Sequence, residues 1–480
     1  MPIVSSRAGK LRGVRLDNGL IAFRGIPYAA APVGPLRWRP PSPVTPWADV
    51  KDALDFGADA IQVAGIRESR APAQSEDCLF LNIWAPEEKR EGGWPVIIWS
   101  GGGGFNTGSG AFVVEDPAKL AARGAVVVSF NYRLGIFGFL AHRALSAESP
   151  VGSSGNYGLM DHVAALEWMR QNIAAFGGDA NRITYMAESS GAAAGLLMLA
   201  TERERPLFDR AILLSPGSIS PLLPLDQAEA SAAALDMSAD DMRAMTADEL
   251  LAAAKSLAAG PSNLSVARPM RPIIDGHLVT SDRSYAEDRF AAVPVIIGTN
   301  EDEGRFFTRR MAISTRADLS RYLADSFGAY AERAEILYPA AGDEDVAAAV
   351  AAAYGDISIN HPVDRIARAF ARRQPQTFRF VYTYRHGDTQ QPPTHSEEAE
   401  TFLDTRPHVT PGDGEMADLV GRHLIAFAEN GDPSLPGVSE WPAFDAESER
   451  YQRLDLPVTE GARWRAEHMR FLSEAFDSTS

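Results

Sequence analysis

The sequence predicts an α/β fold: a large, mostly parallel central sheet flanked by helices, with helical insertions. Two patterns carry that expectation. Short apolar runs recur along the chain, each followed by a Gly-rich turn or a helical pattern. Continuous rather than alternating apolarity marks strands buried on both faces of a parallel sheet. The second pattern lies in residues 160–176, where Val163, Leu166, Met169, Ile173 and Phe176 recur at spacings of three and four. That stripe is the buried face of a helix.

The elements follow in order. Up to Ala60 the chain is rich in Gly, Pro and Arg and reads as short hairpins and extended loops, with a strand-like piece at 20–23. Apolar strands are then expected at 78–84, 96–99, 125–130, 182–186, 210–214 and 295–297. Between 221 and 264 the composition shifts to Ala, Asp, Glu and Met, and Thr246 with Glu249 forms a capping-box pattern before Leu250. Short helices inserted between strands are expected there, and a second Ala-rich helical stretch at 317–353. No internal repeat or low-complexity linker interrupts the chain, so 1–480 reads as one domain, with 221–264 and 317–353 as cap or regulatory insertions.

Charge narrows the partners. Asp and Glu number 63 against 46 Lys and Arg, a formal net charge of −17. Such a field repels phosphate backbones and anionic lipid, so neither nucleic acid nor a membrane surface is expected to bind. Cys78 is the only cysteine, which excludes an intramolecular disulfide. The first residues hold no signal-peptide apolar core, and no stretch approaches about 18 consecutive apolar residues. A cytoplasmic location is therefore expected.

Two segments carry chemistry. The strand at 96–99 runs into SGGGGFNTGSG, residues 100–110, whose consecutive glycines let backbone N–H groups approach an anion without interference from Cβ. A phosphate cradle does not fit: no Lys follows Gly108, and no offset of G-x-G-x-x-G matches. The remaining reading is an oxyanion loop of the kind esterases place after an early strand. The strand at 182–186 then enters the tight turn AESSG, residues 187–191, and a small-residue helix. The pattern x-E-S-x-G puts Ser189 at the apex and the backbone N–H of Ser190 where it completes an oxyanion hole. Ala187 stands where glycine is usual, a departure costing about 1 kcal/mol if the backbone there must be strained. On chain order alone the base of such a serine could be His277, His361, His386, His395, His408, His423 or His468.

Longer motifs narrow that choice. FRGIPYAAAPVGPLRW from Phe23, SEDCLFLNIWAP from Ser75, GGGFNTGSG from Gly102, NYRLGIFGFL from Asn131, GNYGLMDHVAALEWMRQNIAAFGGD from Gly155, GTNEDEGRFF from Gly298 and FAENGDPSLPGVSEWPAF from Phe427 occur in that order. With them the chain resembles the type-B carboxylesterase family, which includes para-nitrobenzyl esterases, vertebrate carboxylesterases and cholinesterases. The resemblance implies an α/β-hydrolase fold and a serine carboxylesterase acting on small-molecule esters through an acyl-enzyme. It implies no metal and no organic cofactor, and the zinc spacing H-E-x-x-H is absent. By the same resemblance Ser189 is the nucleophile, Glu303 in GTNEDEG the acid and His395 in PTHSEEAETFL the base, with His386 the fallback. Gly103 and Gly104 match the oxyanion donors beside Ser190, and Phe105, Phe306 and Phe307 match residues lining the substrate pocket.

Several positions depart from the family pattern. Gly101 replaces a histidine that could brace the glycine loop, and losing one oxyanion donor costs roughly 10²–10³-fold in rate. Ser190 replaces alanine, which leaves the backbone N–H intact. Cys78 matches a position that is disulfide-bonded in secreted relatives, but its partner is absent. Arg37 and Glu76 resemble a structural ion pair of the family, and Glu188 an acidic neighbour of the serine. Short-chain or aryl esters, including esters of bulky alcohols, are the expected substrates. The alternatives are carbamate or amide hydrolysis at the same site, a non-catalytic binding protein on this fold, and a lipase working at membranes.

Overall fold

The computed structural model of the protein describes residues 1–63, 67–201, 203–257 and 270–477. Among the described residues, eleven strands form the main sheet. They are β1 (Val14–Arg15), β2 (Leu20–Pro27), β3 (Phe80–Pro86), β4 (Trp94–Ser100), β5 (Val126–Phe130) and β6 (Gly178–Glu188). β7 (Arg210–Leu214), β8 (Val295–Asn300), β9 (Thr377–Tyr382), β10 (Arg450–Leu454) and β11 (Thr459–Ala462) complete it. Their spatial order is β11-β10-β9-β8-β7-β6-β4-β5-β3-β2-β1. Pairing is parallel from β5 through β4 and β6 to β10, and antiparallel at both ends of the sheet.

The central strands are continuously apolar because both faces of the sheet are covered. Side chains alternate across a strand. Val96 and Ile98 of β4 accordingly join one buried cluster, while Ile97 and Trp99 join the other. β9 escapes the apolar-run pattern because Arg379 interrupts it. That side chain is 1% exposed and pairs with the Asp364 carboxylate at 2.6 Å. β10 and β11 lie at one edge of the sheet, where polar residues suffice and leave no apolar run to find.

Helices pack on both faces. α1 (Tyr157–Asn172) continues as a 3₁₀ turn through Phe176, which accounts for the whole stripe seen at 160–176. α2 (Ser189–Leu199) follows β6 directly. α3 (Ala239–Ala244) and α4 (Ala247–Ser256) fall in the expected insertion at 221–264, whose residues 258–264 lie outside the described residues. The capping box at the start of α4 is formed: the Thr246 hydroxyl accepts the Glu249 N–H at 3.3 Å, and the Glu249 carboxylate accepts the Thr246 N–H at 2.8 Å. Met242 and Leu250 anchor α3 and α4 in the first of the two sheet-face clusters.

The second helical region contains α5 (Arg305–Thr308), α6 (Arg316–Phe327), α7 (Val346–Gly355) and α8 (His361–Arg373), with a π turn at 356–360 joining the last two. It outruns the expected 317–353 because HPVDRIARAFARR keeps a helical period although charge masks its apolar face. Leu319, Leu323 and Val350 pack there against Phe471 and Leu472 near the C-terminus. α9 (Glu397–Phe402) completes the elements around the site. No helix of the described residues is long and apolar enough to cross a membrane.

Candidate active site

β6 ends at Glu188, and Ser189 opens α2 with φ at +51°, a left-handed value that costs a non-glycine residue about 1–3 kcal/mol. Packing holds it there. The Tyr185 hydroxyl donates to the Gly191 carbonyl at 2.9 Å, and Ala187 pairs with Ser100 on one side and Leu213 on the other. Ala187 thus lies in ordinary strand backbone, and its substitution for glycine meets no left-handed requirement. The following glycine is different. A Cβ at Gly191 would fall 2.3 Å from the Ser100 carbonyl oxygen and 2.7 Å from that of Gly101, so helix and glycine loop could not approach. Ser190 lies in the first turn of α2, where a backbone N–H has no intrahelical acceptor.

The glycine loop presses against the same serine, since a Cβ at Gly102 would lie 2.7 Å from the Ser189 Cβ. Gly103 and Gly104 have φ of +132° and +63°. The Gly103 carbonyl accepts the Asn106 and Thr107 N–H groups at 3.2 Å each, and the Gly104 carbonyl accepts the Asn106 side-chain amide at 2.7 Å. In a planar trans peptide the N–H lies opposite the preceding carbonyl. Tying down the Gly103 carbonyl therefore turns the Gly104 N–H away from the loop's own interior. Phe105, with φ at +65°, rests its ring 5.1 Å from that of Phe139.

Two loops bring up the imidazole and the acid. His395 Nε2 stands 2.9 Å from Ser189 Oγ, and His395 Nδ1 2.6 Å from Glu303 Oε2. The Asp302 N–H donates to the Pro393 carbonyl at 3.1 Å, which ties the acid loop after β8 to the histidine loop after β9. All three side chains are buried, Ser189 being 7% exposed, His395 3% and Glu303 1%. Of the other candidates, His361 contacts Ser473, His408 Asp404 and His423 the Pro433 carbonyl, while His386 Nε2 faces the Pro407 carbonyl at 2.7 Å and is no partner of Ser189.

Behind Glu303 lies a group of residues that motif reading passed over. Glu303 Oε1 accepts the Asn300 N–H at 2.6 Å and is 2.7 Å from Ser215 Oγ. Ser215 Oγ is also 2.6 Å from Glu398 Oε1, and the Asn300 side-chain amide donates to the other Glu398 oxygen. One hydroxyl proton serves one acceptor, so one of the two carboxyls must itself carry a proton. Burial, followed by the charges of Glu303 and Glu188, pushes Glu398 up to about 8. Glu398 is therefore the protonated partner: it donates to Ser215, and Ser215 donates to Glu303. Asn300 and Glu398 sit inside motifs quoted above, but nothing in EEAE separates Glu398 from Glu397.

Glu188 reaches the same imidazole, its Oε1 3.3 Å from His395 Nε2 and 2.6 Å from the donating Ser396 hydroxyl. Burial works against a charged imidazole, but Glu303 and Glu188 outweigh it and leave His395 above the ordinary histidine value. Phe307 and Phe306 lie beside the ring, with centroids 4.7 and 5.9 Å from it, and Phe306 is 39% exposed. Arg37 and Glu76 form a two-pronged pair at 2.7 and 2.6 Å. Arg37 also donates to the carbonyls of Met242, Arg243 and Met245, so the pair fastens the α3 segment.

A buried hydroxyl, imidazole and carboxylate in line, beside a glycine loop and a helix N-terminus, form an arrangement suited to acyl transfer. Comparison with known proteins agrees. The model of the carboxylesterase family matches residues 1–472. A fumonisin B1 esterase of Sphingopyxis macrogoltabida is 41% identical over 92% of this chain and 85% of its own length. The para-nitrobenzyl esterase of Bacillus subtilis (strain 168) is 31% identical over 95% of each chain. An acetylcholinesterase of Bungarus fasciatus is 30% identical over 94% of this chain and 82% of its own. A solved PNB esterase structure superposes with a TM-score of 0.85 at 30% identity, covering 98% of this chain and 99% of that one. The chain belongs to the carboxylesterase family: it is a carboxylic-ester hydrolase with the α/β-hydrolase fold.

Proposed function

We propose that Ser189, His395 and Glu303 are the catalytic triad of this esterase. The observation that carries the reading is the line of contacts at 2.9 and 2.6 Å through the two nitrogens of one buried imidazole. His395 takes the Ser189 proton as the oxygen attacks the ester carbonyl, and Glu303 holds the ring and stabilises the imidazolium. The N–H groups of Gly103, Gly104 and Ser190 receive the developing oxyanion. The tetrahedral adduct expels the alcohol, which leaves with the proton from His395. Water then attacks the acyl-enzyme in the same way, releasing the acid and regenerating Ser189.

Phe306 and Phe307, beside the imidazole, line the substrate pocket together with Phe105. The segments 221–264 and 317–353 act as cap insertions; α7 is joined to the site through Tyr354, whose ring is 5.2 Å from Phe307. The substrates are short-chain and aryl esters, bulky alcohols included. The resemblance to enzymes named for para-nitrobenzyl esters and for fumonisin B1 supports a pocket that accepts large alcohols.

The test is hydrolysis of para-nitrophenyl acetate and butyrate. Ser189→Ala is expected to lower kcat by about 10⁴-fold or more, and Ser190→Ala, which keeps its backbone N–H, to stay within about tenfold. Equal losses in the two variants would contradict the assignment.

A further inference from the structure

Glu115 is a buried carboxylate that the acyl-transfer chemistry leaves unused. It is 6% exposed and lies in a short 3₁₀ turn after the glycine loop. Its Oε2 accepts the Trp99 indole N–H at 2.7 Å, and Arg67 closes an ion pair on its Oε1. Trp99 sits in β4, one residue before Ser100 and two before Gly101. A Cβ built on Gly101 would fall 2.2 Å from Glu115 Oε2 and 2.9 Å from its Cδ. The carboxylate therefore fills the volume that any side chain at 101 would need. The Gly101 carbonyl, with that of Ser100, is in turn what excludes a Cβ at Gly191. Gly101 is thus clamped between the buried Glu115 carboxylate and the first turn of α2.

We infer that Arg67 and Glu115 are positioning residues for the oxyanion loop, bracing Gly101 from outside where the related pattern places a histidine within the loop. With its carboxylate buried and the Arg67 side chain 33% exposed, the pair adds little net stability, because desolvation of the carboxylate offsets much of the attraction. Its worth lies in geometry: oxyanion donors act only if they are fixed before charge develops. Burial pushes the Glu115 carboxyl up against the opposing pull of Arg67 and Trp99, so the guanidinium is what keeps it an acceptor. The loop that lacks the histidine is then braced all the same, by residues that sequence spacing does not connect.

The inference rests on the Ser189 reading, and the experiment separates the two. Kinetics of para-nitrophenyl acetate hydrolysis, melting temperature and Ki for a trifluoromethyl ketone transition-state analogue are measured for wild type, Ser189→Ala, Glu115→Ala, Arg67→Met, Gly101→His and the double variant Gly101→His/Glu115→Ala. Assays are run well below each melting temperature. Glu115→Ala is expected to lower kcat roughly 10–100-fold with KM within about threefold, and to raise Ki by the factor lost in kcat/KM. Arg67→Met follows with a smaller loss of the same kind. Gly101→His alone is more damaged than the double variant, which recovers at least about tenfold because the vacated space accepts the imidazole. A Glu115→Ala enzyme with kcat and Ki within about threefold of wild type overturns the brace, as does simple multiplication of the two single losses. If Glu115→Ala is wild-type-like while Ser189→Ala is dead, the brace alone falls. If Ser189→Ala stays active, the nucleophile assignment falls with it.

Discussion

The two sides of His395 are held in place by different physics. On the serine side, Ser189, Ser190 and the glycine loop are fixed by backbone: strand ladders at Ala187, a left-handed φ at Ser189, and approaches at Gly102 and Gly191 too close for a Cβ. On the acid side, the Glu303 carboxylate is fixed by hydrogen bonds from the Ser215 hydroxyl and from the backbone N–H and side-chain amide of Asn300, with Glu398 behind them. A site held by backbone fails when atoms are added. One held by a buried proton-sharing network fails when charge or protonation changes. The halves should therefore respond to different perturbations.

The largest expected effect is on the acid side. Glu303→Gln removes the carboxylate that orients and charges the imidazole, and is expected to lower kcat by about 10⁴-fold. It also moves the acid limb of kcat/KM. His395 must be neutral to act as base, and Glu303 and Glu188 hold its pKa above the ordinary 6.5. Wild-type activity should thus rise with pH through a value above 6.5, and the limb should shift to lower pH once Glu303 is neutral. A limb that does not move would remove Glu303 as the partner.

Next comes the serine side. Gly191→Ala adds one methyl group 2.3 Å from the Ser100 carbonyl and should cost about 10²-fold in kcat/KM, with no change in the pH profile. Full activity in that variant would show that helix and loop need not approach so closely.

The smallest rate effect is expected from Glu398→Gln, whose amide can still donate to Ser215, so kcat should stay within a few-fold. Its signature is in stability. Glu398 holds its proton up to about 8 in the folded protein against an ordinary 4.5. Between those values the folded state binds more protons than the unfolded one, so wild-type stability falls as pH rises through the window. Glu398→Gln removes that slope and should gain melting temperature relative to wild type between pH 5 and pH 8. A constant difference would place the shared proton elsewhere.

The serine side was also the legible side. Four glycines and x-E-S-x-G are spelled out in local sequence because backbone geometry demands particular residues at adjacent positions. The apolar strands were legible for a similar reason, since burial on both faces leaves a continuous run. β9 was hidden because buried Arg379 breaks its run and is neutralised by Asp364. On the acid side, motif resemblance selected Glu303 and His395, but Ser215, Asn300 and Glu398 meet across 183 positions of chain from Ser215 to Glu398. A network of side chains from separate loops leaves no local spacing to read. Gly101 was visible as a departure, while the Glu115 carboxylate that compensates for it was visible only in three dimensions.

The most direct test of the central claim is to label the wild-type enzyme with a fluorophosphonate and locate the adduct by mass in the peptide that contains both Ser189 and Ser190. The account predicts one adduct per chain, on Ser189, abolished by Ser189→Ala and slowed by His395→Gln. An adduct on Ser190, or labelling that survives Ser189→Ala, would contradict it.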